Sequence, residues 1–196
     1  TGIPWADLDL AITPVVEIIS GHGAFEYFDN RPIEPRGDMK GCFAQDGLAM
    51  GLKFGVVGGS DQHGLIWHHG ICWKRNSMRS GLTGLWATDR SRQAILDAIR
   101  NRRTFATSGF KASLQFRIGD CFMGGETAAT KPPVLSARID IPPDQGILDR
   151  LEVIRNGAVV YSLEGDKAAA FEWTDDACPT GDKPSWYYLR LTLAGE

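Results

Sequence analysis

The chain has 196 residues, of which 43% are apolar and 23% are charged, with a formal net charge of -3. A chain of this length can bury one good hydrophobic core or two modest ones. The small negative charge, without a basic cluster, argues against nucleic acid as a partner. No apolar run approaches the roughly 20 residues of a membrane helix, so we predict a globular protein without a membrane partner. With nucleic acid and membrane disfavoured, we predict that it acts on a small molecule.

The two ends of the chain say little about its compartment. The segment TGIPWADLDL has neither the basic start nor the apolar stretch of a signal peptide, and the localisation stays open. The sequence begins with Thr1 and stops in LTLAGE, within an apparent strand. We therefore expect a piece of a longer protein.

Residues 1 to 109 alternate between strand-like and helix-like segments. The strand-like TPVVEIIS (13 to 20) precedes a small-residue amphipathic segment (41 to 55), and VVGGSD precedes the helix-like SRQAILDAIRNRR (91 to 103). This alternation predicts an α/β unit. In the last helix Ser91 is a suitable N-cap, and the predicted buried face is made of Ile95 and Ile99, widened by Leu96 and Ala98.

Residues 110 to 196 have the alternating pattern of β-strands, with Gly and Pro between the runs. Such runs predict a small antiparallel β-sandwich. Asn156-Gly157 stands between two of them, and both residues tolerate positive φ, so we predict a tight hairpin there.

Asp61 and His63 follow the apolar run FGVVG and two glycines. Reactive groups of α/β folds lie at the carboxyl ends of strands, where this pair would stand. In an extended Asp-x-His both side chains project to the same side, so that both can reach one divalent ion. The pair taken alone favours the other alternative, a capped turn in which Asp61 binds backbone amides and His63 is solvated. A serine hydrolase fits worse, because G-x-S-x-G is not matched around Ser60.

Three segments resemble, in their order and residues, the C-terminal half of PHP-type metallohydrolases, named for polymerase and histidinol phosphatase. They are VVEIISGHGAFEYF, GVVGGSDQHG and GLTGLWATDRSRQAILDAIRNRRTFATSG. The resemblance covers residues 13 to 109 and is nearest to a large bacterial branch of unknown function related to carbamate hydrolases. It implies a distorted (β/α)7 barrel, of which residues 1 to 109 would be the C-terminal portion, with residues 110 to 196 as its β-sandwich appendage.

The same resemblance implies a set of metal ligands. The final Asp-x-His motif of the superfamily matches Asp61 and His63, which would be catalytic as well as metal-binding. The preceding strand of the branch carries a Glu and a His that match Glu17 and His22. Either residue is equally compatible with a structural role, Glu17 as a polar residue inside a barrel and His22 as a loop histidine.

The chain departs from the family in one respect. The superfamily opens with His-x-His and has a later Asp-His pair, but the four histidines here are residues 22, 63, 68 and 69. We therefore expect that the full enzyme has further ligands outside this chain. The isolated chain should bind metal weakly and show little or no turnover, because two or three ligands hold an ion poorly.

A second group of polar residues lies in the segment LIWHHGICWKRNSMRSG. His68, His69 and Arg75 could contact a substrate at the mouth of the site, with Arg75 binding an anionic group through forked hydrogen bonds. Solvated side chains on a surface loop are the alternative.

In the full-length enzyme, zinc, manganese or iron would suit this ligand set. Such an ion activates water, so we expect hydrolysis of a phosphoester, carbamate, amide or ester bond. The alternative is that the β-sandwich is a binding or assembly module beside an incomplete catalytic half, which exposed aromatic side chains would favour. A homodimer that buries an exposed barrel surface is a further prediction.

Overall fold

The computed structural model describes residues 3–20, 23–30, 40–60, 81–165, 169–179 and 184–194. The chain divides into two compact units, Thr1–Lys111 and Ala112–Glu196. The sequence placed the boundary between residues 109 and 110.

The predicted α/β class with a partial (β/α)7 barrel is wrong. Strands make up 40% and helices 13% of the described residues, and the strands form four small sheets without a barrel. A (β/α) barrel requires parallel strands that continue around the axis, each followed by a helix on the outside. Within the described ranges the parallel pairing is confined to one strand pair, and the flanking pairings are antiparallel.

The described part of the first unit begins with a short 3-10 helix. Its elements in chain order are the 3-10 helix (Trp5–Asp7), β1 (Val15–Ser20), β2 (Gly23–Ala24), α1 (Ala44–Ala49), β3 (Gly55–Gly58), β4 (Leu82–Leu85), α2 (Arg92–Arg100) and β5 (Thr104–Thr107). One sheet has the order β2-β1-β3, and β4 pairs with β5 in a second sheet.

Strands β1 and β3 lie side by side in parallel, joined through α1. Val15 pairs with Gly55 and Glu17 with Val57, after which a bulge shifts the register so that Ile19 pairs with Gly58. A core lies against this pair, and its buried members are Trp5, Val16, Ala44 and Phe54. Both strands therefore end at the same edge of the sheet.

Helix α2 confirms the predicted helix, but it buries only part of the predicted face. Ser91 caps it, since its Oγ accepts a hydrogen bond from the Ala94 N–H at 3.2 Å. The buried residues are Ala94 and Ala98, whereas Ile95 and Leu96 are exposed. Small side chains let a helix approach its neighbours closely, and in α2 it is the two alanines, not the larger Ile95 and Leu96, that face the interior.

The second unit contains two antiparallel sheets, which agrees with the predicted β-sandwich. Its strands are β6 (Ser113–Ile118), β7 (Cys121–Phe122), β8 (Val134–Asp140), β9 (Leu148–Arg155), β10 (Ala158–Glu164), β11 (Ala170–Thr174) and β12 (Tyr187–Leu193). The sheet orders are β10-β9-β12 and β11-β8-β6-β7. Leu135 from one sheet and Leu151 and Val153 from the other have no exposed surface.

Aromatic rings connect the edge strands of these two sheets. Tyr161 of β10 stacks on Trp173 of β11 with ring centroids 4.7 Å apart, and Phe171 lies 5.8 Å from the same tyrosine ring. All three side chains are half-buried. They close the space between β10 and β11, as core residues do.

The predicted hairpin at Asn156-Gly157 is confirmed. Both residues have positive φ, 51° and 84°, and they join β9 to β10. The turn is held from outside, because Asn156 N–H donates to the Trp186 carbonyl at 3.1 Å and the Trp186 N–H donates to Asn156 Oδ1 at 3.0 Å.

Candidate functional site

Among the predicted site residues, the structure describes Glu17. The other predicted metal ligands and substrate contacts lie outside the described residues; they are His22, Asp61, His63, His68, His69 and Arg75. The described residues do show the backbone that leads into and out of these segments.

The carboxylate of Glu17 lies at the carboxyl end of the neighbouring strand. Glu17 is exposed in the middle of β1, and its side chain extends over the backbone of Gly59, just after β3. A Cβ atom on Gly59 would overlap Glu17 Oε2 and lie 3.3 Å from Glu17 Cδ. Glycine at position 59 is therefore what allows this acid to reach the end of β3.

The end of β3 is held on both sides. The Gly59 N–H donates to the carbonyl of Ile19 in β1 at 2.9 Å. On the other side, Thr83 Oγ1 of β4 donates to the Gly58 carbonyl at 2.7 Å and accepts from the Gly58 N–H at 3.0 Å.

The chain returns to the same point at Gly81. A Cβ atom on Gly81 would lie 2.5 Å from the Ile19 carbonyl oxygen and 2.7 Å from that of Gly59. Gly59 and Gly81 thus lie close together beside Ile19, and both positions leave no room for a Cβ atom. In the sequence, these two glycines stand on either side of a stretch that contains three of the four histidines.

Among the residues that the structure describes, no cluster of three or more His, Cys, Asp or Glu side chains could hold a metal ion. Glu17 is a carboxylate that lies beside Gly59, at the end of β3. A carboxylate is an ordinary ligand of zinc, manganese and iron, and this one is solvent-exposed beside a glycine backbone. The predicted ligand set as a whole stays a prediction, because His22, Asp61 and His63 lie outside the described residues.

The second unit has a buried polar centre that the sequence did not indicate. Asp175 is 1% exposed, and its Oδ2 lies 2.5 Å from Arg155 Nη1 and accepts a hydrogen bond from the Tyr187 hydroxyl at 2.9 Å. Its Oδ1 accepts from the Ala177 N–H at 3.2 Å. The centre connects the ends of β9, β11 and β12. We call these three residues, Arg155, Asp175 and Tyr187, the latch, because their side chains hold the three strand ends together.

Burial and hydrogen bonding perturb two of these groups. Burial, followed by hydrogen bonds with Cys178 and Asp175, raises the pKa of Tyr187 well above its usual value. For Arg155, burial alone would lower the pKa, but the hydrogen bond and charge of Asp175 outweigh it and raise the pKa. A phenol kept neutral beside a paired carboxylate is suited to holding structure, not to proton transfer near neutral pH.

The local sequence around Asp175 predicts the opposite of a buried centre. Asp175 follows AFEWT in a run of polar residues, where an exposed turn is the usual expectation. Its partners are distant, at 20 residues for Arg155 and 12 for Tyr187. The pairing of β9 with β12 sets Tyr187 opposite Arg155, and Asp175 reaches both from the end of β11 in the other sheet.

A comparison with family models finds one match, to "Protein of unknown function (DUF3604)", over residues 68–142. This stretch begins at His68 and includes β4, α2 and β5 of the first unit together with β6, β7 and β8 of the second. It includes His69 and Arg75 but excludes Asp61 and His63. The chain is similar to that family over this part.

The chain is also similar to longer chlamydial proteins. An uncharacterised protein of Chlamydia pneumoniae is 30% identical in an alignment of 200 residues that covers 92% of this chain and 32% of the relative. An uncharacterised protein of Chlamydia trachomatis is 28% identical in an alignment of 159 residues that covers 74% of this chain and 25% of the relative. The chain thus spans a third or less of the length of these relatives. No solved structure matches.

None of the helices in the described ranges has both the length and the apolar character needed to cross a lipid bilayer.

Proposed function

We propose that this chain is part of a metal-dependent hydrolase in which metal-activated water attacks a small-molecule substrate. The metal would be held at the carboxyl ends of β1 and β3 by Asp61, His63, His22 and Glu17. The remaining ligands would come from a longer protein, in keeping with relatives three to four times as long as the aligned part.

The observation that supports the proposal best is the contact of Glu17 with Gly59. Two adjacent parallel strands end at one edge, and an exposed carboxylate from the first reaches the end of the second. In the sequence, His22 comes two residues after β1, and Asp61 comes three residues after β3. Because a chain extends by at most roughly 3.6 Å per residue, these side chains start within reach of the same edge.

Each residue has a role in this proposal. Asp61 and Glu17 supply carboxylate oxygens, and His63 and His22 supply neutral imidazole nitrogens, the forms in which these groups bind metals. When bound, a divalent ion would lower the pKa of water and polarise the bond under attack. Asp61 also accepts a proton from the attacking water. His68, His69 and Arg75 contact the substrate, and Arg75 pairs with an anionic group such as phosphate or carboxylate.

The alternative, a ligand-binding β-sandwich, has less support. Among the described residues of the second unit, the Phe, Tyr and Trp side chains are buried or half-buried. Several stack on one another, including Trp186 on Tyr188 with ring centroids 5.9 Å apart. Rings that cover each other in this way leave little face for a sugar or a partner.

Binding of Co²⁺ by the purified chain tests the proposal. We expect weak but measurable binding that Asp61→Ala and His63→Ala each abolish without changing the circular dichroism spectrum, because they remove ligands and not core. The control Asp149→Ala removes an exposed acid from β9 and should bind as the wild type does. Equal binding by all four proteins would contradict the proposal.

Hydrolysis gives a second test of the same proposal. With para-nitrophenyl phosphate and para-nitrophenyl acetate, the isolated chain should show little or no turnover, since it lacks part of the ligand set. Robust turnover that a chelator abolishes would show that the site is complete within these 196 residues.

A further inference from the structure

We propose that β12 pairs edge to edge with β12 of a second copy of this chain, so that two three-stranded sheets join into one continuous sheet. The inference does not rest on the proposed metal site. It concerns a backbone edge of the second unit, and it needs none of the aromatic ring faces that cover one another there.

One edge of the sheet β10-β9-β12 is open. Within the described ranges β12 pairs with β9, and no strand lies on its other side. The Asn156 N–H donates to the Trp186 carbonyl, so every second residue after Trp186 directs its backbone groups to β9. Among the residues between them, Leu189 and Leu191 direct their N–H and C=O groups to the open side. These groups are the ones that a further strand would bind.

The other edges of the second unit are closed or short. Tyr161 of β10 stacks on Trp173 of β11, so aromatic rings cover the space between these two edge strands. The remaining edge strand of the other sheet, β7, has two residues. In the described part of this unit, β12 is therefore the long edge strand that is still open.

β12 also lacks the features by which edge strands avoid pairing. Such strands commonly carry proline, a bulge or free charged side chains. β12 contains no proline or glycine, and its pairing with β9 is regular from Tyr187 to Thr192. Its one charged side chain, Arg190, already pairs with Glu152 of β9 at 3.0 Å. The edge is therefore regular, and its charge is compensated.

The interior of the unit is open to solvent on the same side. Leu189 pairs with Val153 across the two strands, so both side chains lie on the face that points between the sheets. The same holds for Leu191 and its partner Leu151. The two β9 residues have no exposed surface, whereas the two leucines of β12 are half-buried. A strand added at this edge would cover the part of both leucines that is still exposed.

The side chains of β12 are complementary to those of a second, antiparallel β12. Because Leu189 and Leu191 carry the open backbone groups, pairing must set odd-numbered residues opposite one another. A two-fold axis at Leu189 sets Tyr188 opposite Arg190 of the second copy, where the ring can receive the guanidinium group. An axis at Arg190 would instead bring two like charges together, which destabilises a cross-strand pair. The favoured register is therefore the one centred on Leu189.

Amide hydrogen exchange, measured by NMR at low and high concentrations of the 196-residue chain, tests the edge directly. In the dimer the amides of Tyr187, Leu189 and Leu191 gain partners, so their exchange should slow as the concentration rises. The amides of Tyr188 and Arg190 bond to β9 in the monomer already, so their exchange should change less. Sedimentation equilibrium over the same concentrations should show the change from monomer to dimer.

Two substitutions at one position test the register. Tyr188→Lys sets a second positive charge opposite Arg190 of the second copy, and the two-fold axis makes two such pairs, so we expect the dimer to be about 10-fold weaker. Tyr188→Glu removes the same ring but adds the opposite charge, and it should dimerise about 10-fold more tightly than Tyr188→Lys does. Val159→Lys is the control. It adds a positive charge at an exposed position of β10, the far edge of the same sheet, and should dimerise as the wild type does.

Three other outcomes would overturn the proposal. A chain that stays monomeric at every concentration does not use this edge to bind a second copy. A dimer in which Leu189 and Leu191 exchange at rates independent of concentration is formed through another surface. Equal dimerisation by Tyr188→Lys and Tyr188→Glu contradicts the register centred on Leu189. If both variants lose the native circular dichroism spectrum, the exchange rates of the wild type decide.

Discussion

The carboxylate of Glu17 covers Gly59 so closely that a methyl group at position 59 would overlap it. This contact joins the middle of β1 to the end of β3, where two parallel strands finish side by side. A side chain as small as that of alanine at position 59 would therefore displace Glu17, a predicted metal ligand.

Gly59→Ala should therefore weaken metal binding through Glu17. We expect a loss of about 10-fold in Co²⁺ affinity, because the carboxylate must move from its place. In the Glu17→Ala background the same substitution should have little further effect, since the colliding group is gone. Titration of both single variants and the double variant measures this coupling, and independent, additive losses would show that Gly59 acts by another route.

Asp175→Asn should destabilise the second unit. The substitution removes the negative charge that pairs with Arg155 in a buried place, and loss of one partner of such a pair costs about 3 kcal/mol. Glu152→Gln is the control, since Glu152 pairs with Arg190 at 3.0 Å with more exposed side chains and should cost about 1 kcal/mol or less. Urea unfolding provides both values, and equal losses would argue against the latch.

Stability at alkaline pH should depend on Tyr187. Burial and its hydrogen bonds raise the pKa of Tyr187 in the folded chain above the value of about 10 in the unfolded chain. The stabilisation from the neutral phenol is complete below pH of about 10 and is lost as the pH rises above it. Tyr187→Phe should therefore lose less stability than the wild type over this alkaline range. Parallel curves of unfolding free energy against pH would contradict this expectation.

Enlarging a small buried residue of α2 should lower the unfolding free energy more than truncating a large exposed one. Ala98 is 2% exposed, so Ala98→Leu should cost about 1 to 3 kcal/mol through overpacking. Ile95 is 36% exposed, and Ile95→Ala should change the unfolding free energy by only about 0.5 kcal/mol. The reverse order in urea unfolding would favour the isoleucine face that the sequence suggested.

Local features of this fold were predictable from the sequence, because the atoms that determine them are near neighbours in the chain. Ser91 caps α2 three residues away, and Asn156-Gly157 forms its turn through two positive φ angles. The antiparallel pairing of β4 with β5 was not predicted. It joins residues about 20 apart across the segment that contains α2, and no local pattern specifies it.

For the candidate site, the sequence predicted a chemistry that stays a prediction, and it did not predict the backbone geometry. The Asp-x-His pair after FGVVG suggested metal binding, but nothing in the sequence indicated that Glu17 would lie over Gly59 or that Thr83 would hold Gly58. Both contacts depend on the register of β1, β3 and β4. The register in turn depends on a bulge between Glu17 and Ile19, which sequence periodicity does not reveal.

We propose that Glu17, Asp61 and His63 bind one ion, and a crystal structure of the chain grown with Zn²⁺ would decide it. We expect an anomalous scattering peak beside Gly59, about 2 Å from an oxygen of Asp61 and from a ring nitrogen of His63, with the Glu17 carboxylate beside it. A structure in which Asp61 caps a backbone amide and His63 points into solvent, with zinc elsewhere or absent from this edge, would contradict it.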